Sequence, residues 1–166
     1  MSGLGVHFAL SEEDVAALLA QPDDEARLTL LHENIENRYF EEPLHLAESD
    51  KSWDAMHRAL GDGKLDSETG PYPLSHVVLG GQQLYDGDDY ILALKDPKMV
   101  HDIAQALASV TKERLRAGYD AMDAKAYGFE PSDEDFEYTW GWFEDVRTLY
   151  YTADRLWRHV LFSADQ

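Results

Sequence analysis

A chain of 166 residues fits one domain and can bury roughly two thirds of its unfolded surface, so its core needs no covalent staple. Asp and Glu number 33 against 14 Lys and Arg, a formal net charge of -19. Such a charge disfavours nucleic acid and anionic lipid, and favours a basic protein partner or simple solvation.

There are no cysteines, which excludes disulfides and thiolate metal sites and points to a reducing, cytoplasmic setting. No apolar run approaches the ~18 residues of a membrane span. The opening residues Met1 to His7 lack a basic stretch followed by an apolar one, so no secretory signal is expected.

Leu4, Val6, Phe8 and Leu10 alternate with smaller or polar residues, which predicts a strand. Ser11 then reads as a helix N-cap, with Glu12, Glu13 and Asp14 at the positive end of the helix dipole. Pro22 breaks that helix and Asp23-Asp24-Glu25 start another, which buries Leu28, Leu31, Ile35 and Tyr39. Leu44 to Ser49 reads as a connector.

Trp53, Met56, His57 and Leu60 fall at i, i+3, i+4 and i+7, one side of a helix that Asp50 or Ser49 would cap and Gly61 would stop. A polar loop follows to Pro71. The run Pro73 to Leu79, closed by Gly80-Gly81, predicts a buried strand, and Tyr90 to Leu94 another after the Asp86-Gly87-Asp88 turn. Asp96 with Pro97 opens a helix, Thr111 a further one, and Ser132 a long C-terminal helix carrying Phe136, Trp140, Phe143, Val146, Tyr150, Ala153 and Trp157. Gly141 inside that helix costs ~1 kcal/mol relative to Ala, which predicts a close neighbour there. His159 to Phe162 reads as a last strand. The expected fold is therefore α+β: a single domain over 1–166, with a small mixed sheet packed by several helices.

His57 shares a helix face with Trp53, with Asp50 just before it. A His, a Trp and a carboxylate in one pocket could bind a small polar molecule or move protons. The plainer reading is a core-edge imidazole bonded to a backbone carbonyl. His76, on the expected strand with Leu74 and Val78, and His7 are the imidazoles that would have to meet His57 for such a pocket to form, which the sequence does not show. Seven histidines without a motif predict no metal site.

His32-Glu33-Asn34-Ile35-Glu36 shares the start of the zinc-protease helix motif but has Glu in place of the second His. Asp86-Gly87-Asp88-Asp89 lacks the alternating ligands of a calcium loop. No phosphate-binding glycine motif, no Ser or Cys nucleophile motif and no basic stripe occurs, so no cofactor and no nucleic acid are expected. Glu130, Asp133, Glu134, Asp135 and Glu137 crowd the start of the last helix, where they favour its dipole and could also dock a basic partner.

The early strand leading into Ser11-Glu12-Glu13-Asp14, the segment Asp50-Lys51-Ser52-Trp53 through His57, the run Pro73 to Gly81 and the stretch Arg116 to Tyr127 resemble the YfbM-like family, a bacterial domain of unknown function. The resemblance covers nearly the whole chain, and Lys51-Ser52-Trp53 with His57 is its most specific part. It implies a single-domain cytoplasmic α+β protein. It carries over no activity and no catalytic residue.

The expectation for function is thus a non-enzymatic binding or inhibitor module with an acidic surface for a basic protein. The alternative is a small-molecule site or hydrolase-like enzyme around Asp50, Trp53, His57 and His76.

Overall fold

A computed structural model describes residues 3–166, so the leader reading lies outside the described residues where it rests on Met1 and Ser2. The first strand, β1 (Gly5–Leu10), is an inner strand buried on both faces. Val6, Phe8 and Leu10 enter one core and Ala9 the other, as strand alternation requires. It is flanked by β2 (Leu46–Asp50) and by β5 (His159–Asp165), and the sheet continues through β4 (Tyr90–Lys95) to β3 (Gln82–Gln83), in the order β2-β1-β5-β4-β3.

The fold is α+β, but the expected mixed sheet is antiparallel throughout. Each connection, from β1 to β2 and from β4 to β5, returns the chain to the end of the sheet it left. Neighbouring strands therefore oppose one another and no βαβ crossover arises.

Helices cover both faces. On one side α1 (Glu12–Leu19) and α2 (Asp24–Leu30) lead through a π-helical segment, Leu31–Ile35, into α3 (Glu36–Tyr39). Val15, Leu18, Leu31, Ile35 and Tyr39 close the smaller core with Phe8, Leu10 and Leu161. On the other side α4 (Trp53–Leu60), α5 (Pro97–Leu107), α6 (Lys112–Ala121), the short α7 (Ala124–Tyr127) and α8 (Asp133–Arg155) enclose the larger core. Ser11, Asp23, Asp96, Thr111 and Ser132 each accept a hydrogen bond from the backbone N–H three residues on, the N-cap role read from sequence.

Four expectations are corrected. The Leu44–Ser49 connector is a 3-10 turn, Pro43–His45, followed by most of β2. Ala47 and Ser49 point inward and Glu48 outward, a strand pattern without the usual β-branched residues. The Pro73–Leu79 strand is instead a 3-10 turn, Leu74–His76, and its continuation. Local bonds from Ser75 N to Pro71 O, His76 N to Pro73 O, Val77 N to Leu74 O and Gly80 N to Ser75 O hold it, and a short apolar run is compatible with either form. Gly141 has no neighbour within 4 Å of where a Cβ would lie, so no close packing explains it. Gly61 ends α4 with φ -108°, outside the left-handed region.

Candidate functional site

The Leu74–Val78 turn sits against the sheet and needs partners for its carbonyl groups. Its own backbone bonds use the carbonyls of Pro71, Pro73, Leu74 and Ser75. Side chains from three other elements serve the next ones. Tyr150 of α8 donates its hydroxyl to Val77 O at 2.7 Å. His7 of β1 places Nε2 2.8 Å from the same oxygen. Lys95, the last residue of β4, donates Nζ to Val78 O at 2.5 Å and to Ala93 O at 3.2 Å.

Lys95 is wholly buried, and its ammonium position lies 5.6 Å from the centre of the Phe162 ring. No carboxylate pairs with it among the described residues. Two carbonyl acceptors match the two N–H bonds of a neutral amine, and burial holds its pKa well below the usual lysine range. His7 is also fully enclosed. Burial first, and then the proximity of Lys95, lowers its pKa to about 3 against the opposing bond to Val77.

A carbonyl only accepts, so His7 carries its proton on Nε2 and leaves Nδ1 as a buried lone pair without a hydrogen-bond partner. The chemistry available is therefore that of unprotonated nitrogens in an apolar enclosure: bases and a nucleophile, all sealed from solvent.

Against this geometry the four residues singled out from sequence take different places. Trp53 is fully buried, its Nε1 donating to Gly3 O at 2.9 Å and its ring 5.7 Å from that of Phe162. His57 is buried, with Nε2 2.8 Å from Asp66 O in the polar loop and Nδ1 unpartnered. Burial lowers its pKa despite that bond, and Lys95 adds to the effect. His76 is half-buried, with Nδ1 2.9 Å from Ser75 Oγ and its ring 4.9 Å from Tyr72. Burial and Lys95 lower its pKa as well.

Asp50 does not cap α4. It ends β2 with φ 49°, its carboxylate beside the Tyr138 hydroxyl, and Ser52 stands at the cap position without a capping bond. The one group whose charge would lower all three imidazole pKa values is one the sequence reading missed, Lys95. As the polar end of an apolar strand it looked like an ordinary exposed terminus. Only its phase with Ala93 placed it on an inner face.

The surface clefts described lie elsewhere. One, of about 660 Å³, is lined by Asp23, Glu25 and Glu33 beside the π-helical segment. Another, of about 380 Å³, follows β2 and α8 and is lined by Phe40, Leu44, Glu48, Trp142 and Asp145 among others. The acidic start of α8 is largely engaged. Asp133 pairs with Arg116 at 2.9 Å and Glu137 with Lys112 at 2.7 Å. Asp135 accepts from the hydroxyls of Tyr119 and Tyr127 at 2.7 and 2.8 Å, which holds both phenols above their ordinary pKa after burial has raised them.

No helix among the described residues is long and apolar enough to cross a membrane. No group of three or more His, Asp or Glu side chains able to hold a metal ion gathers among them.

The model of a family described as a domain of unknown function (DUF1877) matches residues 1–163. The chain belongs to that family. A crystal structure of YfbM from Escherichia coli, described as a protein of unknown function, is similar at 21% identity, covering 97% of this chain and 99% of that one with a TM-score of 0.69. That likeness shows the family's fold. No curated protein matches significantly.

Proposed function

We propose that this member of the family is a non-enzymatic, cytoplasmic binding or inhibitor module whose acidic surface meets a basic protein. The observation that carries this reading is the state of the carboxylates in its clefts. Asp23, Glu25 and Glu33 line one cleft and Glu48 and Asp145 the other, with no Lys or Arg among the lining residues of either. None of these five enters an ion pair among the described residues. A net charge of -19 adds a long-range field, and concave low-dielectric walls focus it.

Affinity capture followed by association kinetics across a salt series tests the reading. A specific basic partner whose on-rate falls steeply with ionic strength is the expected result. Capture of nothing specific at low salt, or binding indifferent to salt, overturns it.

A second reading keeps a small-molecule site at Asp50, Trp53, His57 and His76. The unpartnered Nδ1 atoms of buried His7 and His57 favour it, because buried acceptors without donors suit a polar guest. It requires the core to open. Reductive methylation of the folded protein, read by peptide mass, decides: Lys95 reacting as fast as surface lysines supports an open state. A Lys95 left untouched while the other lysines react removes the reading.

A further inference from the structure

We infer that the outer edge of β2 is the docking site of an extended basic segment, which adds to the sheet as a sixth strand between the two helical layers. The inference rests on the reading of the chain as a binding module and names the surface and the form of its partner.

The two edges of the sheet are unequal. At one end β3 is two residues long, too short to template another strand. At the other β2 has five residues and pairs on one side only, with β1. The groove of about 380 Å³ is lined by residues from both faces of that strand, Leu46 and Glu48 on one and Ala47 on the other. One wall comes from Phe40 and Leu44 on the small-core side and the other from Trp142 and Asp145 of α8. A groove lined from both layers lies over the strand's edge, not over a face. A chain entering it therefore meets the outward backbone groups of β2, the arrangement that binds extended peptides by strand addition.

The side chains supply anchors and a charge rule. Leu44 is 75% exposed and Phe40 48%, an apolar pair facing the half-buried Trp142 across the groove. Sheet edges are ordinarily defended by lysine, proline or a bulge. Here Pro43 precedes the strand and the register shift lies between Gly5 and Val6, opposite its far end, leaving Leu46 to Glu48 undefended except by charge. That charge is negative: Glu48 and Asp145, both exposed. It opposes a second copy of this acidic chain, whose own Glu48 would approach the first in an edge-to-edge pair, and it admits a strand carrying Lys or Arg.

The test uses an eight-residue peptide of alternating lysine and valine, titrated into the isotope-labelled full chain. The expected result is cross-strand nuclear Overhauser contacts between the peptide backbone and Leu46–Glu48. Affinity is expected to fall about tenfold or more in the double variant Glu48→Lys/Asp145→Lys and in Leu44→Ser. It is expected to fall as far when alternate peptide nitrogens are methylated, which keeps every side chain but removes N–H donors.

Unchanged affinity of the methylated peptide, peptide contacts at Asp23, Glu25 and Glu33 instead of β2, or self-association of the free chain through β2 each overturns the inference. A basic partner that still binds the folded Glu48→Lys/Asp145→Lys variant removes the edge site and leaves the binding-module reading standing. Loss of that partner together with the peptide supports both.

Discussion

Lys95→Met is expected to stabilise the protein at pH 7 and to destabilise it near pH 10.5. The folded chain keeps this amine neutral while the unfolded chain protonates it, since burial lowers its pKa well below the ordinary 10.5. The unfolded state then binds the extra proton, so stability rises with pH. The Lys95 contribution is whole above 10.5 and is lost, by ~1.4 kcal/mol per pH unit, as pH falls toward the folded pKa.

Methionine has a similar shape and no such cost, but it leaves Val78 O without its donor, worth ~1–3 kcal/mol. At pH 7 relief from the protonation cost wins, and the variant is the more stable of the two. Near pH 10.5 the cost has vanished and only the lost hydrogen bond remains, so the order inverts. Urea unfolding of both proteins across this range measures the difference directly, and effects common to both, such as ionisation of Tyr150, cancel. If the order does not invert, Lys95 is charged in the folded state.

Acid acts on His7 in the same direction. Its folded pKa of about 3, set first by burial, lies below the ordinary 6.5, so the protein loses stability as pH falls from 6.5 toward 3, which urea unfolding across that range reads.

Gly118→Ala should cost about 2 kcal/mol or more, although it replaces a glycine inside a helix. A Cβ at Gly118 of α6 would meet Ala59 O and the carbonyl carbon of Ala59 at 2.9 Å, so α4 and α6 must move apart. These are backbone atoms and cannot rotate away as a side-chain tip would. The helix-propensity gain of ~1 kcal/mol is smaller than the packing lost around the crossing. Gly141→Ala is the matched control. It is exposed in α8 with nothing near a new Cβ, and the same substitution there should add ~1 kcal/mol. Thermal unfolding of the two variants reads the contrast as midpoint shifts of opposite sign. Equal shifts would mean that α4 and α6 do not cross as closely as the structure places them.

Neither Lys95 nor Gly118 was legible in the sequence, whereas features with local chemistry were. The caps Ser11, Asp23, Asp96, Thr111 and Ser132 were legible because each chemistry is local: a side-chain oxygen bonded three residues on. The helix faces of α5 and α8, and strands β1, β4 and β5, were legible, except that α8 ends at Arg155 and Trp157, expected on its inner face, follows it exposed with φ 55°. β2 was not, because Ala47-Glu48-Ser49 owes its strand form to β1 and α8 and not to its own propensity. The Pro73–Leu79 run has strand composition but turns, with its backbone bonds made locally from Ser75 N, His76 N, Val77 N and Gly80 N.

At the candidate site, Trp53 and His57 were correctly placed on one helix. The buried amine of Lys95 was not legible. A lysine ending an apolar strand is ordinarily exposed, and its burial depends on Val78 O, seventeen residues earlier in the chain. Gly118 was equally silent, since its meaning lies in Ala59 across the helix crossing.

The order β2-β1-β5-β4-β3 also bears on how the chain folds. Gly5 pairs with Ala164, so the middle strand, β5, is zipped to a strand far from it in sequence. Until β5 is in place, β1–β2 and β3–β4 are two separate half-sheets, each with an inner edge open to other chains. Closure joins residues distant in sequence, a step that favours slow folding and exposure to misassembly.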